Sequence, residues 1–323
     1  MHEGGHGGPP RRKTGIALVS RAAERSVVGS GQPELSTAAQ RPQSRRIADF
    51  WRLYARSTGA VVGALILLAL ILMTIAAPWI EPYDPIGVSP KDARQAPSGA
   101  HWFGTDQYGR DVLSRVIDGA HISLEMGLAA VFISVVFGTI MGLIAGYNEG
   151  IVDSLIMRFV DMLLAFPGIL LALAIVAALG ASLSNVILAV GIGTIPVYAR
   201  VVRGTVLSAK QEAYVDAARV IGCSDLRVTL RHILPNITAP VLVLATIGVA
   251  YSILNGSALS FLGLGVIAPT AEWGLMVSEG RSYLRDAWWM TTAPGLALAV
   301  TVLAMNLVGD GLRDAFDPRT RRR

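Results

Sequence analysis

The sequence predicts an all-α integral membrane protein with six transmembrane helices and one polar, helical loop on the cytosolic side. Three observations carry that class. Of 323 residues, 52% are apolar and only 16% charged, with a mean hydropathy of +0.51, more than a soluble domain of this length presents. Apolar stretches of about twenty residues recur along the chain, each long enough to cross about 30 Å of hydrocarbon as a helix. Between two of them lies EAYVDAARVIGCSDLRVTLRHILPN (residues 212–236), polar and helix-forming, which must therefore be a loop on one side of the membrane.

Residues 1–50 hold many Gly, Pro, Ser, Gln and Arg residues without apolar periodicity and read as a disordered basic cytosolic tail. His2 and His6 in its Gly-rich start read as incidental rather than chelating. Between residues 1 and 58, ten Arg or Lys stand against four Asp or Glu, so the positive-inside rule keeps this end in the cytoplasm. The apolar run at 59–80 is then an outward first span, too long for the core of a cleaved leader. Pro78, Trp79 and Tyr83 mark its outer interface.

Residues 51–120 group this span with an external loop, since 81–120 carries six acidic residues against four basic ones. Within it WFGTDQYGRD (102–111) precedes a segment in which Val112, Leu113, Val116 and Ile117 alternate with Arg110, Ser114, Arg115 and Asp118. That spacing predicts an amphipathic helix lying at the membrane surface. A calcium loop is excluded because the D-x-[DN]-x-[DN]-G order is absent.

A core domain at 121–310 supplies the other spans, at about 122–147, 159–180, 185–202, 237–262 and 290–308. Pro294 and Gly295 fall in the first turns of the last, where a helix tolerates proline best. Counting crossings places residues 203–236 in the cytoplasm, and the six basic against three acidic residues between Arg200 and His232 agree. So does the tail at 311–323: from Asp310 onward, five arginines oppose three acidic residues. Residues 263–289 are then external, with Trp273, Tyr283, Trp288 and Trp289 expected as interfacial anchors. Gly138, Gly142 and Gly146 share a helical face and predict close packing against another helix. Glu125 and Asp161 lie near span ends, where snorkelling accounts for them better than a proton relay. Asn255, Ser257 and Asn306 are the uncharged polar candidates for a translocation path.

Within the loop, residues 209–221 favour helix and Gly222 is suited to the left-handed conformation that ends one. Ser224 or Asp225 then caps a second helix, with Leu226, Leu230 and Ile233 at helical spacing until Pro235 stops it. Ala213, Ala217, Ala218 and Ile221 fall on one side of the first helix, a surface of small residues that another protein can approach closely.

Asp216-Ala217-Ala218, three residues, Gly222, then Leu234 and Pro235 twelve and thirteen positions on, resembles the EAA loop of ABC-importer permease subunits. Asp216 stands for the usual Glu and His232 for the usual Ile. W-F-G-T-D-x-x-G-R-D resembles a signature of the C-type permease of dipeptide and oligopeptide importers, so the resemblance runs from about residue 50 to 320. It implies a type I ABC importer permease fold in a bacterial cytoplasmic membrane, with both termini cytosolic. Glu212, Ala213, Asp216, Ala217, Ala218, Gly222, Leu234 and Pro235 would couple to ATPase subunits. The implied partners are a second, homologous permease subunit, two ABC ATPases that hold ATP and Mg, and an extracytoplasmic solute-binding protein. The implied cargo is dipeptides or oligopeptides, with glutathione or nickel as alternatives.

The chain carries no ATP site of its own, because none of its lysines (Lys13, Lys91, Lys210) follows a glycine as a P-loop requires. No HExxH or GxSxG motif marks a membrane enzyme, so no catalytic, metal or cofactor residue is expected. An ion-coupled carrier would need ionisable groups near the midplane, and none stands out. The lone Cys223 rules out a disulfide. Although the net charge is +5, its distribution follows membrane topology, which discounts nucleic acid as a partner.

Overall fold

The computed structural model describes residues 51–316; the basic tail expected at 1–50, with His2 and His6, lies outside them, and of the tail expected at 311–323 residues 311–316 continue the last helix while 317–323 lie outside. Among the described residues every long element is a helix. The helices are α1 (Thr58–Ile80), α2 (Val112–Asn148), α3 (Gly150–Leu164), α4 (Gly168–Leu179), α5 (Leu183–Ala209), α6 (Ala213–Val220), α7 (Asp225–Phe261), α8 (Trp273–Gly280) and α9 (Trp289–Phe316). Five are long and apolar enough to cross a membrane, and α3 with α4 forms a sixth crossing if the bent pair counts as one.

The glycine row at 138, 142 and 146 sets the central crossing. A methyl on Gly138 would lie 2.5 Å from Tyr198 Cβ, one on Gly142 2.6 Å from Val202 Cβ, and one on Gly146 2.9 Å from Val206 Cβ. The rows 138/142/146 and 198/202/206 both step by four, so a ridge of α5 lies in a groove that only missing side chains provide. Likewise Gly63 of α1 sits against the Ala304 carbonyl of α9.

Four expectations are corrected. The second span starts at Val112, because Asp111 accepts the Ser114 N–H at 2.8 Å and caps the helix there. The segment expected to lie on the membrane surface is thus the first turns of α2, and Ser114 and Arg115 on its polar face are buried. The third span is broken: α3 and α4 meet at 86° across residues 165–167. Pro167 has no N–H to continue α3 and disfavours helical backbone at Phe166. Trp273 and Trp289 are core residues rather than interfacial anchors, whereas Trp288 remains exposed. Their indole N–H groups donate to the carbonyls of Val116 and Thr105 at 2.9 and 3.0 Å. Finally, Pro235 does not stop the helix that begins at Asp225. A π-helical stretch at Val228–Ile233 widens the turn below the proline, which absorbs its missing donor, and α7 runs on to Phe261.

Candidate functional site

Of the resemblance-derived residues, those from Glu212 to Gly222 lie on α6 and at its two ends, while Leu234 and Pro235 lie on α7. Helix α5 ends at Ala209, and α6 starts at Ala213 after Glu212, whose backbone is extended and whose side chain makes no cap. Gly222 has φ +83°, its N–H donates to Arg219 O, and Cys223 N–H donates to Ala218 O. Those two bonds form a Schellman ending. No atom lies within 4 Å of a Cβ placed on Gly222, so backbone conformation alone calls for glycine there.

The two faces of α6 differ. Val215 and Ala218 are buried in a cluster with Leu143 of α2, Val202 and Val206 of α5, and Val228, Ile233, Ile237 and Val241 of α7. Glu212, Ala213, Asp216, Ala217 and Gly222 face outward, together with Val220 and Ile221, which are 87% and 78% exposed. Ala218 therefore belongs to the interior and not to the small-residue surface expected from the sequence. Asp216 pairs with Arg219 at 3.6 Å on the exposed side, a contact worth little. Leu234 is half-buried beside the cluster and Pro235 exposed, while Leu226 and Leu230 point out of it.

Polar ties fix the base of this surface. Lys210 Nζ donates to Tyr147 O at 2.7 Å and to Glu149 Oε1 at 2.6 Å, and the Tyr147 hydroxyl donates to Asp225. Arg203 holds Asp153 through two bonds of 2.5 and 2.6 Å, and Arg200 holds Asp161 at 2.5 Å. Asp161 is thus one member of an α3–α5 pair, not a free snorkelling carboxylate. Glu125 lies exposed, 3.8 Å from His121.

At the opposite end, WFGTDQYGRD builds a clasp. Asp106 accepts Arg110 Nε at 2.5 Å, and Glu279 of α8 accepts from Arg110 and Arg115 at 3.0 and 3.3 Å. Gly109 at φ +77° lies so near Ser89 O that no Cβ fits. Sequence reasoning missed Glu279, whose partners Arg110 and Arg115 are distant in the chain, and Glu272, whose partners are near but whose residue type is not among the preferred helix N-caps. Glu272 is fully buried, caps α8 through Gly274 and Leu275 N–H at 2.8 Å each, and accepts the Ser257 hydroxyl at 2.9 Å. Ser257 therefore bonds a neighbouring element instead of lining a path.

Between the α3–α4 break, α5 and α7 lies a cavity of about 290 Å³, lined among others by Phe166, Gly168, Thr194, Tyr198, Tyr251 and Ser252. A smaller hollow beside it shares Gly168, Thr194 and Tyr251 and reaches Asn255. Asn255 donates to Tyr251 O at 2.7 Å. Of the three polar candidates only Asn255 reaches this space; Asn306 is half-buried on α9 and lines neither hollow. No group of three or more His, Cys, Asp or Glu able to hold a metal occurs among the described residues.

Comparison with known proteins adds to this geometry. Residues 138–322 match the family described as binding-protein-dependent transport system inner membrane component, and residues 46–97 match the N-terminal TM domain of oligopeptide transport permease C. The glutathione transport system permease protein GsiD of Escherichia coli O6:K15:H31 (strain 536 / UPEC) is 49% identical over 272 residues, 84% of this chain and 90% of the relative. Its counterpart in Shigella boydii serotype 4 (strain Sb227) matches to the same extent. Two structures of inward-facing conformations of the MetNI methionine ABC transporter share the fold, with TM-scores of 0.52 and 0.51 at 18% identity. They cover 64% and 63% of this chain and 98% and 97% of their own.

Proposed function

Because the chain belongs to the family of binding-protein-dependent transport system inner membrane components, and so is a permease subunit of an ATP-binding-cassette importer, we propose that it carries short peptides inward. Dipeptides, oligopeptides and glutathione form one cargo class in this reading. Its relatives named for glutathione transport support it, as do the tyrosines, hydroxyls and aliphatic side chains that line the cavity. That lining suits a peptide and offers no imidazole, thiolate or carboxylate to a nickel ion. The family implies ATPase and substrate-binding partners. In the full assembly a second, homologous permease subunit and two ATPases complete the path, with α6 and both termini in the cytoplasm. ATP and Mg stay on the ATPases.

One observation carries the coupling role of α6: its outer face is open, while its inner face shares one apolar cluster with α2, α5 and α7. A push on α6 therefore reaches three membrane helices through packed side chains, which transmit displacement because interiors are close-packed. Glu212, Ala213, Asp216, Ala217 and Gly222 form the contact surface. Ala218, Leu234 and Pro235 link it to the spans.

The test is uptake of labelled dipeptide and labelled glutathione by proteoliposomes holding this chain, its permease partner, the ATPases and the binding protein. ATP-dependent accumulation of either is expected. Accumulation by this chain alone, or ATP hydrolysis without uptake of either cargo, would overturn the reading.

A further inference from the structure

Helix α4 has 12 residues, about 18 Å, so as one half of a broken crossing it would set its first turn near the middle of a hydrocarbon layer of about 30 Å. Its start at Pro167 has no side-chain cap, and the Pro167 carbonyl takes the N–H groups of Leu170 and Leu171. The N–H groups of Gly168 and Ile169 find no acceptor among the described residues. Unsatisfied donors at that depth are costly, and the aligned peptide dipoles add a partial positive charge at the same point.

A second observation points to what belongs there. Ser252 of α7 is fully buried, lines the same cavity as Gly168, and has no hydrogen-bond partner for its hydroxyl. Other hydroxyls on these helices, such as Ser134, Thr205 and Thr246, donate to a carbonyl three or four residues back. Ser252 does not. Tyr251 adds a phenol whose oxygen lies 3.6 Å from where a Cβ on Gly168 would sit. Arg200, two positions after the lining residue Tyr198 on α5, is held by Asp161.

We propose that the break between α3 and α4 is a transient subsite for the carboxylate of the cargo. It is held by Gly168 and Ile169 N–H and by Ser252 Oγ–H, with Phe166 and Tyr251 against the adjoining apolar part. A carboxylate only accepts hydrogen bonds, which suits a pocket whose spare groups are donors. The half-helix N-terminus supplies positive potential without a fixed cation, so the anion is released rather than trapped. This inference rests on the peptide-import reading.

The test places cysteine at position 197 (Val197→Cys, in a Cys223→Ser background), an accessible wall residue of the same cavity that the subsite does not use, in the assembled transporter and follows its alkylation by a small thiol reagent. A dipeptide is expected to slow alkylation about threefold or more relative to its C-terminal amide at equal concentration, the scale of one lost hydrogen bond. Gly168→Pro should shrink that difference, since proline suits the first helical position but removes one donor. Equal protection by acid and amide, protection by neither, or a difference untouched by Gly168→Pro overturns the subsite. Should the cysteine variant not assemble, the same comparison is read from uptake by Ser252→Ala, whose KM must rise for the cargo as the free acid if the subsite exists. Peptide uptake by the unmodified complex without selective protection removes this inference alone. Failure of both removes the peptide reading with it.

Discussion

Gly142 of α2 faces Val202 of α5 so closely that a methyl on the glycine would lie 2.6 Å from the valine Cβ. Gly142→Val should therefore destabilise the subunit by about 1–3 kcal/mol, the range for overpacking a tight contact. Gly204 of α5 has no atom within 4 Å of its Cβ position, and Gly204→Ala should be neutral or stabilising by up to about 1 kcal/mol. Thermal unfolding of the purified assembly measures both, and equal melting temperatures for the two variants would contradict the proposed crossing.

A buried ion network makes the second prediction. Arg115 is 1% exposed and holds Glu279 at 3.3 Å and the carbonyls of Pro85 and Pro269. Glu279→Ala leaves two buried guanidinium groups short of a counter-charge and should cost about 3 kcal/mol. Exposed Glu125→Ala, whose carboxylate lies 3.8 Å from His121, should cost under about 1 kcal/mol. Membrane abundance and melting temperature should fall for the first variant only.

These cases also show which features the sequence makes legible. Spans are legible because a run of about twenty apolar residues has one stable solution in lipid. Gly222 is legible because its left-handed φ is a local property of the turn. Ala218 is not, because its facing depends on the phase of α6, and a start at Ala213 turns it inward beside Val215. The break at Pro167 is visible as a proline, but the 86° bend is not, and α3 below it is tied to α5 by the pairs Asp153–Arg203 and Asp161–Arg200, which join residues 50 and 39 positions apart. The WFGTDQYGRD run shows that something is built there. Its anchor on Glu279 lies 169 positions from Arg110 and leaves no local trace.

The third prediction concerns orientation. Ser98 lies exposed in the loop before α2, and Ser208 lies exposed at the end of α5 beside α6. With cysteine placed at each position in a Cys223→Ser background, an impermeant reagent on intact cells should modify only position 98. Equal labelling, or labelling of position 208 alone, would reverse or break the assignment of α6 to the cytoplasm.

The last prediction separates docking from folding on α6. Ala217 and Ala218 are adjacent, but the first is exposed and the second is 3% exposed inside the cluster. Ala218→Trp must overpack that cluster, so subunit abundance should fall, with a penalty at or above about 1–3 kcal/mol. Ala217→Trp meets only what docks from outside, so abundance should stay normal while ATPase co-purification and uptake are lost. Gly222→Asn tolerates the left-handed turn and should keep most uptake, whereas the β-branched side chain of Gly222→Val is strongly disfavoured at φ +83° and should lose it. Asp216→Glu keeps the charge on an exposed position and should be nearly silent. Co-purification of the ATPases, uptake of labelled dipeptide and membrane abundance are measured on the same preparations. Normal uptake by Ala217→Trp at normal abundance would remove α6 as the coupling element, because no packed surface admits an indole in place of a methyl without moving apart.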